Sequence, residues 1–258
     1  MKHKLFSIVL VAAAIVLLIA VTSMLTTERS TAGEIRVAVA SNFADAIEDI
    51  AKRFEAKTGR RVTLTFGSTG KHYAQIKNGA PFDAFFAADI RHAELLEKEG
   101  LALPGRRFTY AVGKVVLWSP KAGYVDGEGK VLEQADFRHL AIANPKLAPY
   151  GQAAQEVLQT RGIWDKLSKR LVLGENIGQA FQFVGSGNAE LGFVAYSQVK
   201  RPSQLIEGSW WEVPQALYTP IEQQAVLLKD SDTARDFLAY VRSDEALKII
   251  REYGYGTP

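Results

Sequence analysis

From position 34 onward the chain alternates two hydrophobic rhythms. Ile35, Val37 and Val39 alternate with Arg36, Ala38 and Ala40, the period of a strand, and the run ends in the polar pair Ser41-Asn42. Phe43, Ile47, Ile50 and Phe54 then follow helical spacing, and Thr58-Gly59 stops that helix. A strand at 62–66 leads through Gly67-Ser68-Thr69-Gly70 into a helix ending near Ile76, and Asn78-Gly79-Ala80-Pro81 breaks it. A third strand at 83–87 and a third helix at 90–99 complete a βαβαβα series. Such a series predicts a parallel sheet with helices on both faces. Ligands of such sheets bind in loops at the carboxyl ends of the strands.

The run at 108–118 is long and extended, and is predicted to leave this first unit. A second α/β set follows, with strands at 140–143, 171–173 and 191–195 and helices at 151–160 and 178–184. Another apolar extended run at 221–228 is predicted to bring the chain back, and Ser231 and Ser243 are placed to cap two closing helices. The expected architecture is α/β with two lobes, 34–112 with 221–258 and 113–220, joined by two hinge crossovers. Trp210 and Trp211 are expected in core or hinge packing.

The first residues have a different pattern. Lys2 and Lys4 precede an apolar stretch from Leu5 to Leu25, and Ser30-Thr31-Ala32 offers a small-residue cleavage site. Residues 1–32 are expected to be an export signal, and an uncleaved anchor is the other reading of the same run. Either way, the folded part is expected outside the cytoplasm.

The 258 residues are 47% hydrophobic and 23% charged, which are values of a globular chain. There is no Cys, so disulfides and thiolate metal sites are excluded. Of the net charge of +3, the leader contributes Lys2, Lys4 and Arg29 against Glu28, which leaves 28 basic and 27 acidic residues. That balance gives no sign of nucleic-acid binding. The four His (His3, His72, His92 and His139) do not form a metal-binding spacing with one another. A Walker A loop fails because Thr65 and His72 stand where Gly and Ser/Thr are needed. Gly185-Ser186-Gly187 lacks the spacing of a nucleophile elbow. No catalytic constellation emerges, and no cofactor or directly bound metal is expected.

Four polar or glycine-containing turns remain, each between a strand and a helix: Ser41-Asn42, Ser68-Thr69, Pro149-Tyr150-Gly151 and Asn176-Ile177-Gly178. Taken singly, each is an ordinary helix cap. Together, two from each lobe, they offer free N–H groups at the positive ends of helices, which suits an anion without any Lys or Arg.

Several runs carry a resemblance. They are Val37-Ala38-Val39-Ala40-Ser41-Asn42-Phe43, Phe66-Gly67-Ser68-Thr69-Gly70-Lys71, and Asn78-Gly79-Ala80-Pro81-Phe82-Asp83-Ala84-Phe85-Phe86-Ala87-Ala88-Asp89. Ala143-Asn144-Pro145, Ala148-Pro149-Tyr150-Gly151, Gly174-Glu175-Asn176-Ile177 and Leu191-Gly192-Phe193-Val194 follow in order. With these runs the chain resembles the periplasmic molybdate-binding proteins of ABC importers over essentially all of 34–258. The resemblance implies the type II periplasmic-binding fold and capture of molybdate or tungstate between the lobes by neutral donors. It also implies delivery to a membrane permease with its ATPase. By position, Ser41 would supply a hydroxyl, Asn42 a backbone N–H, and Ser68 or Thr69 a hydroxyl and N–H, Thr69 being better aligned. Tyr150 and Ile177 would each supply a backbone N–H. One departure stands out: some relatives place a Tyr donor where this chain has Ala195, with Tyr196 one residue later. The expected protein is a periplasmic monomer and not an enzyme. The alternative ligand is another tetrahedral oxyanion such as sulfate. A carboxylate binder would normally use an Arg clamp, and none of the four turns carries Arg.

Overall fold

The computed structural model describes residues 33–257. The expected leader at 1–32, with its cleavage site and its anchor alternative, lies outside the described residues.

The first half of the chain forms β1 (Glu34–Ala40), α1 (Ala44–Thr58), β2 (Arg61–Gly67), α2 (Thr69–Lys77), β3 (Ala84–Ala87), α3 (Ile90–Lys98) and β4 (Phe108–Gly113). Then come β5 (Val115–Ser119), α4 (Val131–Gln134), β6 (Leu140–Ala143), α5 (Pro149–Thr160), α6 (Trp164–Leu167) and β7 (Leu171–Gly174). The chain continues through α7 (Ile177–Gly185), β8 (Leu191–Ala195), α8 (Tyr196–Val199) and β9 (Ser209–Glu212), and closes with β10 (Ile221–Leu227), α9 (Asp232–Val241) and α10 (Asp244–Glu252).

Two five-stranded sheets result, ordered β2-β1-β3-β10-β4 and β7-β6-β8-β5-β9. In the first, β1 runs parallel to β2 and β3, and β10 is inserted antiparallel between β3 and β4. In the second, β6 runs parallel to β7 and β8, and β5 pairs antiparallel with β8 and β9. The sheets are therefore mixed rather than purely parallel. In each, the antiparallel inner strand is the one that has just crossed from the other lobe. The extended run at 108–118 is two strands in different sheets, and the single residue Lys114 between them makes the first crossover. Residues 213–220 make the second.

Each sheet is covered on both faces, as a sheet with a parallel core requires. Phe43, Ile47, Ile50 and Phe54 of the first helical stripe pack with Ile35, Val37 and Val39 and with Phe237 and Ile250 from the closing helices. Ile76, Phe85 and Leu96 fill the other face. In the second lobe Leu140, Ile142, Leu158 and Phe193 centre one cluster, and Val116, Val184 and Val194 the other. Ser231 and Ser243 accept from Ala234 N and Ala246 N and so cap α9 and α10. Trp211 is buried, while Trp210, on the other face of β9, packs tilted against the Tyr196 ring.

Candidate functional site

All four turns leave the carboxyl ends of parallel strands. A 3-10 turn, Ser41–Phe43, joins β1 to α1, and Ser68 is the N-cap of α2. Pro149 opens α5, and Asn176 is the N-cap of α7, its side chain accepting from Gln179 N. Pro149 sits where its missing N–H costs nothing and its fixed φ suits the first helical turn.

The two lobes meet at these turns. The Ser41 hydroxyl accepts from Gly178 N at 3.1 Å and donates to Asn176 Oδ1 at 3.1 Å. A hydroxyl of the first lobe thus sits on the N-terminus of a helix of the second. Gly178 permits this approach: a Cβ there would stand 3.1 Å from Asn176 Oδ1 and 3.4 Å from the Ser41 Cβ. Nearby, Gly70 N donates to Leu147 O at 2.9 Å, again across the lobes.

Of the other predicted residues, Asn42 lines the cavity beside this contact with Ser41, whereas Ser68, Thr69, Tyr150 and Ile177 do not line it. Ser68 and Thr69 are 2% and 1% exposed, so neither hydroxyl faces bulk water. Ser68 Oγ accepts from Lys71 N at 3.3 Å, and Thr69 Oγ1 accepts from Ala88 N at 3.0 Å. Each accepts one backbone N–H and still carries a proton it can donate. Asn42 is buried, with its amide Nδ2 donating to Gln223 Oε1 at 2.7 Å and to the Tyr255 hydroxyl at 3.1 Å. Asn42 O accepts from Ser197 Oγ at 2.9 Å and from the Tyr255 hydroxyl at 2.6 Å. The side chain is thus committed inward, and the backbone N–H is the group available to a ligand. Tyr150 and Ile177 are buried at the first turns of α5 and α7. The Ile177 carbonyl accepts from Gln198 Nε2 at 3.2 Å.

Tyr196 takes no part in this arrangement. Its ring lies against Trp210 and beneath the Lys114 ammonium, and Ser197 is the residue whose hydroxyl reaches Asn42.

A cavity of about 500 Å³ opens beside Ser41, Asn42, Asn176 and Gly178, and the charged Asp45, Glu175 and Arg201 also line it. Lys71 pairs with Glu175 at 2.8 Å and Arg201 with Asp45 at 2.9 Å, both pairs bridging the lobes and both half-exposed. His72, one turn into α2, is buried, and burial lowers its pKa, so it is neutral. Its Nδ1 meets Gln75 Oε1 at 3.0 Å, and Nε2 has no hydrogen-bond partner among the described residues.

Sequence reasoning did not single out Gln223, Tyr255, Ser197 or the Lys71–Glu175 pair. Gln223-Gln224 could have been noticed, because a polar pair inside the apolar run 221–228 is out of place in a central strand.

Fold and cleft together define an extracellular solute-binding protein. The family model for bacterial extracellular solute-binding proteins matches residues 35–256, and the chain belongs to that family. Within it, the chain is 53% identical over 228 residues to the molybdate-binding protein ModA of Azotobacter vinelandii, covering 87% of this chain and 90% of that protein. It is 49% identical to the molybdate-binding protein ModA of Rhodobacter capsulatus, over 88% of this chain and 89% of the relative. The solved structure of the Azotobacter vinelandii periplasmic molybdate-binding protein superposes with a TM-score of 0.85 at 45% identity, over 87% of this chain and 99% of that one.

Proposed function

We propose that this protein captures molybdate or tungstate in the periplasm and delivers it to an ABC importer. The oxyanion would be held between the lobes by Ser41, Asn42, Ser68 or Thr69, Tyr150 and Ile177. The observation that carries the reading is the Ser41 hydroxyl seated on the N-terminus of α7, which joins a donor of one lobe to a helix end of the other. The proton that Ser41 gives to Asn176 Oδ1 is the one it would give to an oxyanion, and Gly178 N would then be shared between them. A dianion enclosed without partners would be very costly, so each oxygen needs donors. A hydrogen bond to a charged group contributes about 1.5–3 kcal/mol. Several such bonds from rigid backbone groups bind without a salt bridge. They also select by size, since sulfate is smaller and would leave donors stretched. Binding, rather than catalysis, is the role these groups support. The partners are the oxyanion and the importer's permease with its ATPase, and the protein is proposed to act as a monomer.

Calorimetric titration of residues 33–258 with molybdate, tungstate and sulfate tests this. One-to-one binding of the first two with sulfate silent is expected. Binding of sulfate alone would keep the fold and overturn the ligand, and silence for all three would reduce the four turns to ordinary caps.

A further inference from the structure

One fully buried side chain at the hinge touches a candidate donor residue from each lobe. Gln223 lies on β10, the strand that returns from the second crossover. Its Oε1 accepts from Asn42 Nδ2 at 2.7 Å and from the Tyr110 hydroxyl at 2.9 Å, both in the first lobe. Its Nε2 faces the Tyr150 hydroxyl of the second lobe at 3.4 Å. Asn42 and Tyr150, like Ile177, are predicted donors that would act through backbone N–H groups. Their side chains are therefore free to be held from behind.

The local backbone is built for this amide. Between Gln223 and Gln224 the register of β10 against β4 slips, with Gln223 opposite Ala111 and Gln224 opposite Thr109. The slip is a bulge that leaves Tyr110 without an opposite residue, and bulges re-aim side chains. At the end of β4, beside the first crossover, Gly113 borders the same space: a Cβ there would stand 2.1 Å from the Tyr150 hydroxyl and 2.7 Å from Gln223 Nε2. Both crossovers thus converge on one amide and one phenol. Burial holds the Tyr110 and Tyr150 hydroxyls well above the usual phenol range, so both remain neutral hydrogen-bonding groups.

We propose that Gln223 is a positioning residue for the oxyanion cage, its amide fixing Asn42 of one lobe against Tyr150 of the other in the closed clamp. This rests on the oxyanion reading above. Without this link the two half-cages would meet with looser spacing, and the captured anion would leave faster.

The test compares the wild-type protein with Gln223→Met, which keeps the length and loses the hydrogen bonds, and with Tyr150→Phe, which removes only the second-lobe arm. Stopped-flow and calorimetry with molybdate give association rate, dissociation rate and affinity, and thermal unfolding gives the stability of the unliganded protein. Gln223→Met is expected to raise the dissociation rate roughly tenfold with association little changed, and Tyr150→Phe to raise it about threefold. Should Gln223→Met not fold, Tyr150→Phe carries the same expectation alone. A lower melting temperature with a wild-type dissociation rate in both variants would make Gln223 a purely structural residue and overturn the proposal. A wild-type protein that binds none of the oxyanions would overturn the reading beneath it, a result distinct from wild-type binding that the variants leave untouched.

Discussion

The two lobes reach the cleft with different chemistry. The first lobe brings side chains: Ser41, Ser68 and Thr69 place hydroxyls at their turns, each already held by a backbone N–H. The candidate donors of the second lobe, Tyr150 and Ile177, would act through backbone N–H groups at the first turns of α5 and α7, as Asn42 would in the first lobe, with their side chains packed away. Half the candidate cage can thus be removed by deleting oxygen atoms. The other half can only be displaced.

The largest effect should come from the first lobe. Ser41→Ala with Thr69→Ala deletes two hydroxyl donors and is expected to weaken molybdate binding by about 2–5 kcal/mol. Calorimetry checks this, and unchanged affinity would put the site elsewhere. On the second lobe the corresponding lever is displacement. Gly178→Ala sets a methyl 3.1 Å from Asn176 Oδ1, which must give by a few tenths of an ångström, and is expected to cost about 1 kcal/mol of affinity. If it matched wild type, the lobes would be able to close with more space than the contacts at Ser41 indicate.

The ion pairs across the lobes belong to neither half. Lys71→Gln breaks the half-exposed Lys71–Glu175 bridge and should change affinity by about 0–1 kcal/mol, with the difference vanishing near about 1 M salt. An effect as large as that of the serine–threonine pair would move the electrostatics of capture from the cage to the ion pairs. The smallest expected effect concerns His72 beneath the first-lobe turn. Burial lowers its pKa from 6.5, so the folded protein keeps it neutral while the unfolded chain takes up a proton below that value. Its contribution to stability is full above pH 6.5 and is lost as pH falls from there toward the lower folded value. His72→Gln should flatten that part of a stability–pH profile. An identical slope in the variant would assign it to other groups.

Much of this molecule was legible before folding. The alternation of Ile35, Val37 and Val39 and the stripe Phe43, Ile47, Ile50, Phe54 describe burial on one face, which is a local property. Strand and helix types therefore followed from spacing. Ser231 and Ser243 were readable for a similar reason, since a cap acts on a backbone group three residues away. The mixed direction of the sheets was not readable. The insertion of β10 between β3 and β4 joins residues more than a hundred positions apart, and no spacing records it. The run at 108–118 also concealed a change of sheet at Lys114, because an apolar extended run looks the same whichever sheet receives it.

The sequence by itself determined local features: strand and helix periods, four turns without Arg, a chain without Cys, and side-chain caps at Ser68 and Asn176. Tertiary structure alone decided which groups face one another. It set the Ser41 hydroxyl on Gly178 N, turned the Asn42 amide inward to Gln223, and took Tyr196 out of the cleft to Trp210. The physical reason is range. Hydrophobic period and capping act within a few residues, whereas hydrogen bonds at the hinge join Asn42 to Gln223 and Tyr255 across most of the chain.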